Sequence, residues 1–335
     1  MIPPMPLLAA YRRLPGQAKG LLLVVVSTVA FAAMQALIRE TTRTEHPFEV
    51  VFWRNLFGLA AIAPFFLRHG LSVFRTKRLH HHAFRNFIHL GSMMMFFYGV
   101  SLTPLATVSA LSFTSPLFAA LLAIIMLRER IRARRMVALA IGFIGALIII
   151  RPGFIELQTG SLLVLASSFI WGFVMVNIKA LGTSESSLTS TAYMAVIMAP
   201  LSLVPALFHW SWPPLDTIGL FAAMGALGTL AHIALAQAFR EAEATAVLPA
   251  DFLRMIWASL LGFAFFGEVP EVLVWVGGAM IFSATIYIAY REARLARRPV
   301  SAIAALTPEA AALPMDSAPP PDAESGANEP ARRPP

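Results

Sequence analysis

The chain contains no cysteine, and only 13% of its 335 residues are charged. The absence of cysteine excludes disulfides, thiolate metal ligands and cysteine nucleophiles. Soluble domains usually carry about 25% charged residues, so this chain has about half the expected charge. The uncharged residues are arranged in long apolar runs. A helix of about 20 residues is long enough to cross the roughly 30 Å hydrocarbon core of a bilayer. The sequence therefore predicts an all-α polytopic membrane protein.

Catalytic and phosphate-binding signatures are also absent. The sequence has no G-x-x-x-x-G-K-[ST] phosphate loop, no H-E-x-x-H helix and no G-x-S-x-G elbow. We therefore expect neither an enzyme nor a bound metal or cofactor. The net charge of +8 is more typical of cytoplasmic loops, where Lys and Arg set membrane orientation, than of a nucleic-acid partner.

Ten apolar segments predict ten transmembrane helices. Their approximate ranges are 18–38, 47–67, 86–102, 104–127, 136–150, 160–180, 188–208, 216–238, 244–266 and 271–290. Residues 1–17 form a predicted cytoplasmic N-terminal tail. Residues 293–335 are rich in Pro, Ala, Asp and Glu, and this composition predicts a disordered C-terminal tail.

Basic residues collect at one set of loops. They precede the first segment, separate the second from the third and the fourth from the fifth, and follow the tenth. Because Lys and Arg are retained in the cytoplasm, both termini are predicted to be cytoplasmic, in a protein of the inner membrane.

The two halves of the chain resemble each other. A shift of 140 aligns residues 20–39 with 160–179, and a shift of 139 aligns the fourth apolar segment with the ninth. Each half has five segments, so the second half must enter the membrane from the opposite side. The prediction is two inverted five-helix repeats, residues 18–151 and 152–292, an arrangement found in many secondary transporters.

The repeated segments FFYGVSLTPLATVSALSFTSPLFAALLAIIMLRER and AQAFREAEATAVLPADFLRMIWASLLGFAFFGE resemble the drug/metabolite transporter superfamily and its EamA-type members. The resemblance implies a central cavity that opens to alternate sides. The stretch HPFEVVFWRNLFG is similar to members that carry S-adenosylmethionine, riboflavin or related metabolites. One departure is that Met255 stands where the first half has Pro116, so the ninth segment is expected to bend at Pro249 instead.

Asp251 and Arg254 lie three residues apart inside an apolar segment, and they align with Ser112 and Ser115 of the first half. Charged groups at the bilayer centre cost at least about 2.5–3.5 kcal/mol, so they usually face a cavity or each other. We expect the four side chains to line a substrate cavity. The alternative is that the pair only neutralises itself and joins two helices.

Further candidates are aromatic or polar side chains within apolar segments, a combination that suits an amphipathic solute. They are Phe31, Gln35, Tyr98, Trp171, His232, Gln237 and Trp257. Interhelical packing is the alternative role for each of them. His232 is also a candidate proton relay, since histidine titrates near neutral pH. Arg54 is predicted to be structural, either extending to the membrane interface or pairing with Glu49.

These features predict a secondary transporter that moves a small organic metabolite across the membrane by alternating access. An amino-acid-like or S-adenosylmethionine-like solute fits a site that offers both charges. The alternative is a polytopic membrane enzyme or sensor without transport activity. The expected partners are the substrate and the lipid bilayer, and the sequence leaves a coupling proton and a homodimer open.

Overall fold

Helices dominate the computed structural model, which describes residues 14–69, 76, 79–127, 133–153, 156–181, 187–242 and 244–296. No strand occurs within these ranges. Twelve helices fall in the described part of the chain. They are α1 (Gly16–Thr41), α2 (Pro47–His69), α3 (Leu79–Leu102), α4 (Leu105–Ser112), α5 (Ser115–Leu127), α6 (Ala133–Ile150), α7 (Thr159–Leu181), α8 (Ser187–Leu207), α9 (Leu215–Glu241), α10 (Ala244–Asp251), α11 (Leu253–Phe266) and α12 (Val272–Ala296).

Seven helical stretches in the described residues are long and apolar enough to cross a membrane. They are Gly16–Thr41, Leu105–Met126, Ala133–Ile150, Thr159–Val176, Leu215–Glu241, Val247–Phe266 and Val272–Arg291. Many of their large apolar side chains are exposed, which suits contact with lipid tails. The prediction of an all-α multi-pass membrane protein is therefore confirmed.

Two of the predicted spans are interrupted near their middle. Phe113 and Thr114 separate α4 from α5, and Phe252 separates α10 from α11. The second interruption was expected at Pro249, which instead lies inside α10. A proline removes its own N–H from the ladder and crowds the preceding turn, and the chain here remains helical for two more residues before it breaks.

Small residues bring the helices close together. A Cβ atom at Gly20 of α1 would overlap Ala242, directly beyond the end of α9, and a Cβ at Gly160 of α7 would overlap Thr103, directly beyond the end of α3. Hydroxyl groups then bridge these helix pairs. Ser27 of α1 donates to a carbonyl of α9 at 2.9 Å, and Ser92 of α3 donates to a carbonyl of α7 at the same distance.

The described residues up to Arg291 form one compact unit, and a second unit begins at Glu292. Of the second unit only residues 292–296 are described, as the last part of α12. Most of the two predicted tails lies outside the described residues, namely residues 1–13 and 297–335.

Candidate functional site

A cavity of about 430 Å³ lies among helices α1–α5 and α7–α11. This volume is within the range of sites for small organic ligands. Most of its lining is apolar, and the polar and charged side chains that line it are Gln35, Arg54, His89, Ser92, Ser112, Ser115, Ser167, Ser168, His232, Asp251 and Arg254. Helices α6 and α12 do not contribute to the lining, so the cavity belongs to the inner set of helices.

Asp251 and Arg254 line this cavity from the two sides of the break at Phe252. The nearest oxygen and nitrogen, Oδ2 and Nη2, are 3.7 Å apart, which is an ion-pair contact but too long for a hydrogen bond. Asp251 Oδ1 and Arg254 Nε are buried and have no hydrogen-bond partner in the structure. Each charged group therefore keeps capacity to bind a further polar group.

Aromatic rings hold the Arg254 guanidinium in place. Its Cζ atom lies 4.6 Å from the ring centroid of Phe113 and 5.7 Å from that of Phe31. Cation–π contacts at these distances favour a fixed position for the guanidinium. Phe113 is presented here because α4 ends at Ser112, so the cation packs against the first interruption in the helices.

Ser112 and Ser115, the positions that align with the charged pair, also line the cavity. Their hydroxyls donate to the carbonyls of Val108 at 2.7 Å and of Ser112 at 2.9 Å, respectively. Each hydroxyl oxygen still has accepting capacity. These serines therefore form a mildly polar wall that can accept a hydrogen bond.

Four further predicted residues, Phe31, Gln35, Trp171 and His232, line the same cavity. Gln35 accepts a hydrogen bond from Ser109 at 2.9 Å. The His232 ring meets Phe31 edge-on with centroids 5.0 Å apart, and its Nδ1 lies 2.7 Å from a carbonyl oxygen one turn earlier in α9. The structure thus brings together eight of the eleven residues selected from the sequence.

Tyr98, Gln237 and Trp257 are not part of the cavity lining. The Tyr98 ring lies near His46, in the connection between α1 and α2, and the Gln237 amide donates to Glu241 on its own helix at 3.0 Å. Trp257 packs against the core of the helical bundle. The three side chains have these other contacts in the folded bundle, and the linear repeat alignment does not record them.

Neither of the two placements predicted for Arg54, at the membrane interface or paired with Glu49, is found. The Arg54 side chain is 8% exposed and lines the cavity, so it does not extend to the interface. Glu49 does not pair with Arg54 either; its carboxylate accepts hydrogen bonds from Ser211. The sequence did show an arginine inside an apolar segment, which marks a candidate site residue. It did not show that the side chain points into the cavity. His89, whose ring lies 4.6 Å from Trp171, was likewise not selected.

The end of the bundle formed by the C-termini of α1, α3 and α11 is joined by polar contacts. Arg39 lies 3.5 Å from Glu268 and donates to the carbonyls of Val100 and Ser101 at 3.0 and 2.6 Å. Glu268 accepts the N–H of Leu105 at 2.8 Å. Gly267, with φ of 66°, ends α11 in the left-handed conformation, and the chain there turns Glu268 back toward its partners.

No cluster of three or more His, Cys, Asp or Glu side chains suited to a metal ion occurs in the described ranges. The fold is that of a multi-pass membrane protein, with an internal cavity whose volume matches a small organic molecule. A model of the EamA-like transporter family matches residues 18–151 and again residues 158–290. The chain therefore belongs to the EamA-like transporter family.

Curated relatives match over nearly their whole length. The S-adenosylmethionine uptake transporter of Rickettsia bellii is 28% identical over 268 residues, which is 80% of this chain and 92% of the relative. The riboflavin transporter of Rhizobium johnstonii is 31% identical over 84% of this chain and 94% of its own. The pseudopaline exporter of Pseudomonas aeruginosa is 27% identical over 80% and 94%. These matches identify the chain as a transporter of small metabolites and not an enzyme.

A solved crystal structure has the same fold, with a TM-score of 0.57 at 19% sequence identity. The match covers 83% of this chain and 99% of the other. At this identity the similarity supports the architecture and carries no information about the solute.

Proposed function

We propose that this protein is a secondary transporter that moves a small organic metabolite by alternating access across the inner membrane. Ten membrane-spanning segments would arise from α1 to α12, with α4–α5 and α10–α11 each forming one interrupted segment. Both termini would be cytoplasmic, in agreement with the distribution of basic residues. Interrupted helices near a central site are a recurring feature of secondary transporters.

Equivalent contacts support two inverted repeats. The hydrogen bond from Ser27 to the Ala231 carbonyl joins α1 to α9, and the bond from Ser92 to the Ser167 carbonyl joins α3 to α7. The shift of 140 relates Ser27 to Ser167, and the shift of 139 relates Ser92 to Ala231. The same two positions therefore meet twice, with the halves exchanged and the donor and acceptor roles reversed, as expected for two halves related by a two-fold axis.

The observation that carries the proposed function is the loose Asp251–Arg254 pair on the cavity wall. A buried ion pair contributes little net stability, because desolvation offsets the attraction between the charges. This pair is also too long to hydrogen-bond and leaves one buried atom on each partner unsatisfied. Arg254 would bind a carboxylate or phosphate of the solute, and Asp251 a cationic amine or a coupling proton. Phe31 and Trp171 would supply apolar walls.

The names of the relatives suggest solutes to test. S-adenosylmethionine offers an amino acid group that matches the charged pair, and riboflavin offers a large flat ring system that matches the aromatic walls. The relatives are named as uptake and export proteins.

The test is uptake of S-adenosylmethionine and riboflavin by proteoliposomes containing the full chain. We expect Asp251→Ala and Arg254→Ala each to lower the initial rate at least about tenfold, because loss of a charge-assisted hydrogen bond costs about 1.5–3 kcal/mol. Glu40 and Arg43 provide a matched control, since they form an exposed pair at the same spacing of three, 2.8 Å apart. Wild-type rates in folded Asp251→Ala and Arg254→Ala proteins would remove the pair from the path.

A further inference from the structure

A second, smaller pocket of about 60 Å³ adjoins the cavity around the guanidinium of Arg54. Arg54, His89 and His232 line both spaces, together with Met93 and Met194. A pocket of this volume exceeds the roughly 10–15 Å³ that one water needs, and it can hold a small polar group. The pocket is therefore a side chamber of the transport cavity and not a separate surface site.

Arg54 is a buried cation with no carboxylate partner among the described residues. No acidic side chain lies within ion-pair distance of it in the described residues. Its only hydrogen bond there runs from Nη1 to Asn55 Oδ1 at 3.0 Å, and its buried Nε has no partner. Asp251, the acidic residue of the cavity lining, already contacts Arg254. Burying an uncompensated charge is costly, so the structure leaves one positive charge to be neutralised by something else.

The backbone makes room for this guanidinium. A Cβ atom placed on Gly228 of α9 would lie 2.7 Å from Arg54 Nη2 and 3.3 Å from its Cζ. A Cβ on Gly58 of α2 would lie 3.9 Å from Nη1. The Arg54 head group thus lies against a glycine of the facing helix, where any larger side chain would displace it. This is a close fit around a cation, which an arginine extending toward the interface would not need.

We propose that Arg54, flanked by His89 and His232, is an anion subsite of the transport cavity that receives a carboxylate or phosphate group of the solute. A guanidinium presents a planar set of donors that matches both groups, and its unsatisfied N–H group is available to them. The inference rests on the proposed transport function and adds the substrate class: the solute carries an anionic group. Thr229 and Asn55 border the chamber and add polar atoms beside that group.

The experiment measures uptake by proteoliposomes of two matched pairs of solutes. S-adenosylmethionine is paired with its decarboxylated form, which lacks only the carboxylate. Riboflavin 5′-phosphate is paired with riboflavin, which lacks the phosphate. The measured quantity is the ratio of rates within each pair, because a general loss of folded protein lowers both members equally and leaves the ratio unchanged.

We expect the wild-type protein to prefer the anionic member of one pair at least about tenfold, since a charged hydrogen bond contributes about 1.5–3 kcal/mol. The pair that shows the preference identifies the group as carboxylate or phosphate. Arg54→Gln should lower this ratio severalfold, with Arg254 still present in the cavity, and Arg54→Lys should restore part of it. Gly228→Ala should also lower it by displacing the guanidinium. Gly219→Ala, on the same helix with open space around its Cβ position, should keep the wild-type ratio.

Two results would overturn the subsite while leaving transport intact. One is uptake by wild-type protein without preference for the anionic member of either pair, and the other is an unchanged ratio in Arg54→Gln. Failure of the wild-type protein to take up any of the four solutes would instead remove the proposed function, and the subsite with it.

Discussion

Arg39 Nη2 lies 3.5 Å from Glu268 Oε1, and this ion pair joins the end of α1 in the first half of the chain to the end of α11 in the second. Both side chains are mostly buried, with 24% and 14% of their surface exposed. The same glutamate accepts the backbone N–H that begins α4. One carboxylate therefore holds elements of both halves together at a single end of the bundle.

The first prediction concerns this contact. Glu268→Gln keeps a hydrogen-bond acceptor and loses the charge, so we expect this end to open more often, by about 5–30-fold for a loss of 1–2 kcal/mol. The chain has no native cysteine, so a single Ser109→Cys, one turn from Leu105, is a clean reporter. The readout is its rate of thiol labelling by a membrane-impermeant reagent. Glu40→Gln is the control, and equal labelling rates in all three backgrounds would contradict the prediction.

The second prediction separates two tryptophans that the sequence alone could not rank. Trp171 lines the cavity, whereas Trp257 packs against the core. We expect Trp171→Ala to reduce initial uptake at least about tenfold, because base-sized aromatic solutes lose about 1–3 kcal/mol of stacking per ring. Trp257→Ala should lower the thermal stability of the protein and change uptake per folded molecule less than about twofold, by loss of packing alone. A larger loss of uptake in Trp257→Ala than in Trp171→Ala would contradict the assignment of Trp171 to the substrate cavity.

The third prediction concerns the close contact between α3 and α7. A Cβ at Gly160 would overlap Thr103 and lie 2.7 Å from Leu102 Cβ. Gly160→Val should therefore lower the free energy of unfolding by about 1–3 kcal/mol through overpacking. The measurement is thermal unfolding in detergent. Gly91→Ala has open space at its Cβ position and should be no less stable than wild type; equal destabilisation of both variants would point to a general loss of glycine flexibility.

The fourth prediction concerns pH. The His46 ring, in the connection between α1 and α2, stacks on the His209 ring with centroids 3.7 Å apart. Burial, and then the neighbouring His209, lower the pKa of His46 below its ordinary value of about 6.5. The folded state thus binds fewer protons than the unfolded state, and stability falls as pH drops below this value. His209→Gln should reduce the difference in Tm between about pH 7.5 and pH 5.5. An unchanged difference would assign the pH dependence to other groups.

Much of the architecture was available from the sequence. Long apolar runs predict membrane helices because backbone polar groups must be satisfied inside each segment in lipid, and this rule needs no tertiary information. Most helix ends lie within three residues of the predicted bounds, but α3 begins seven residues earlier and α12 ends six residues later than predicted. The interruption was predicted at Pro249 and occurs at Phe252. A proline shows where a helix is weakened, but tertiary packing decides where the helix breaks.

The candidate site was only partly available. Residues such as Asp251, Arg254 and Trp171 stand out because polar or bulky side chains in apolar segments are unusual. Tyr98 and Trp257 carry the same signal and lie outside the cavity. Residue type alone could not separate the cavity-lining residues from the others, because the separation depends on where each side chain lies in the folded bundle.

The sequence by itself determined that the chain is helical, crosses the membrane several times and is built from two similar halves. Composition and internal repetition can be read from the order of the residues without knowing any tertiary contact. Tertiary structure alone decided which polar groups meet. Arg54 and Asp251 are 197 positions apart in the chain and line one cavity, whereas Arg54 and Glu49, close in sequence, have different partners. A side chain's partners are fixed by helix rotation and close packing, and these follow from the contacts of the whole bundle.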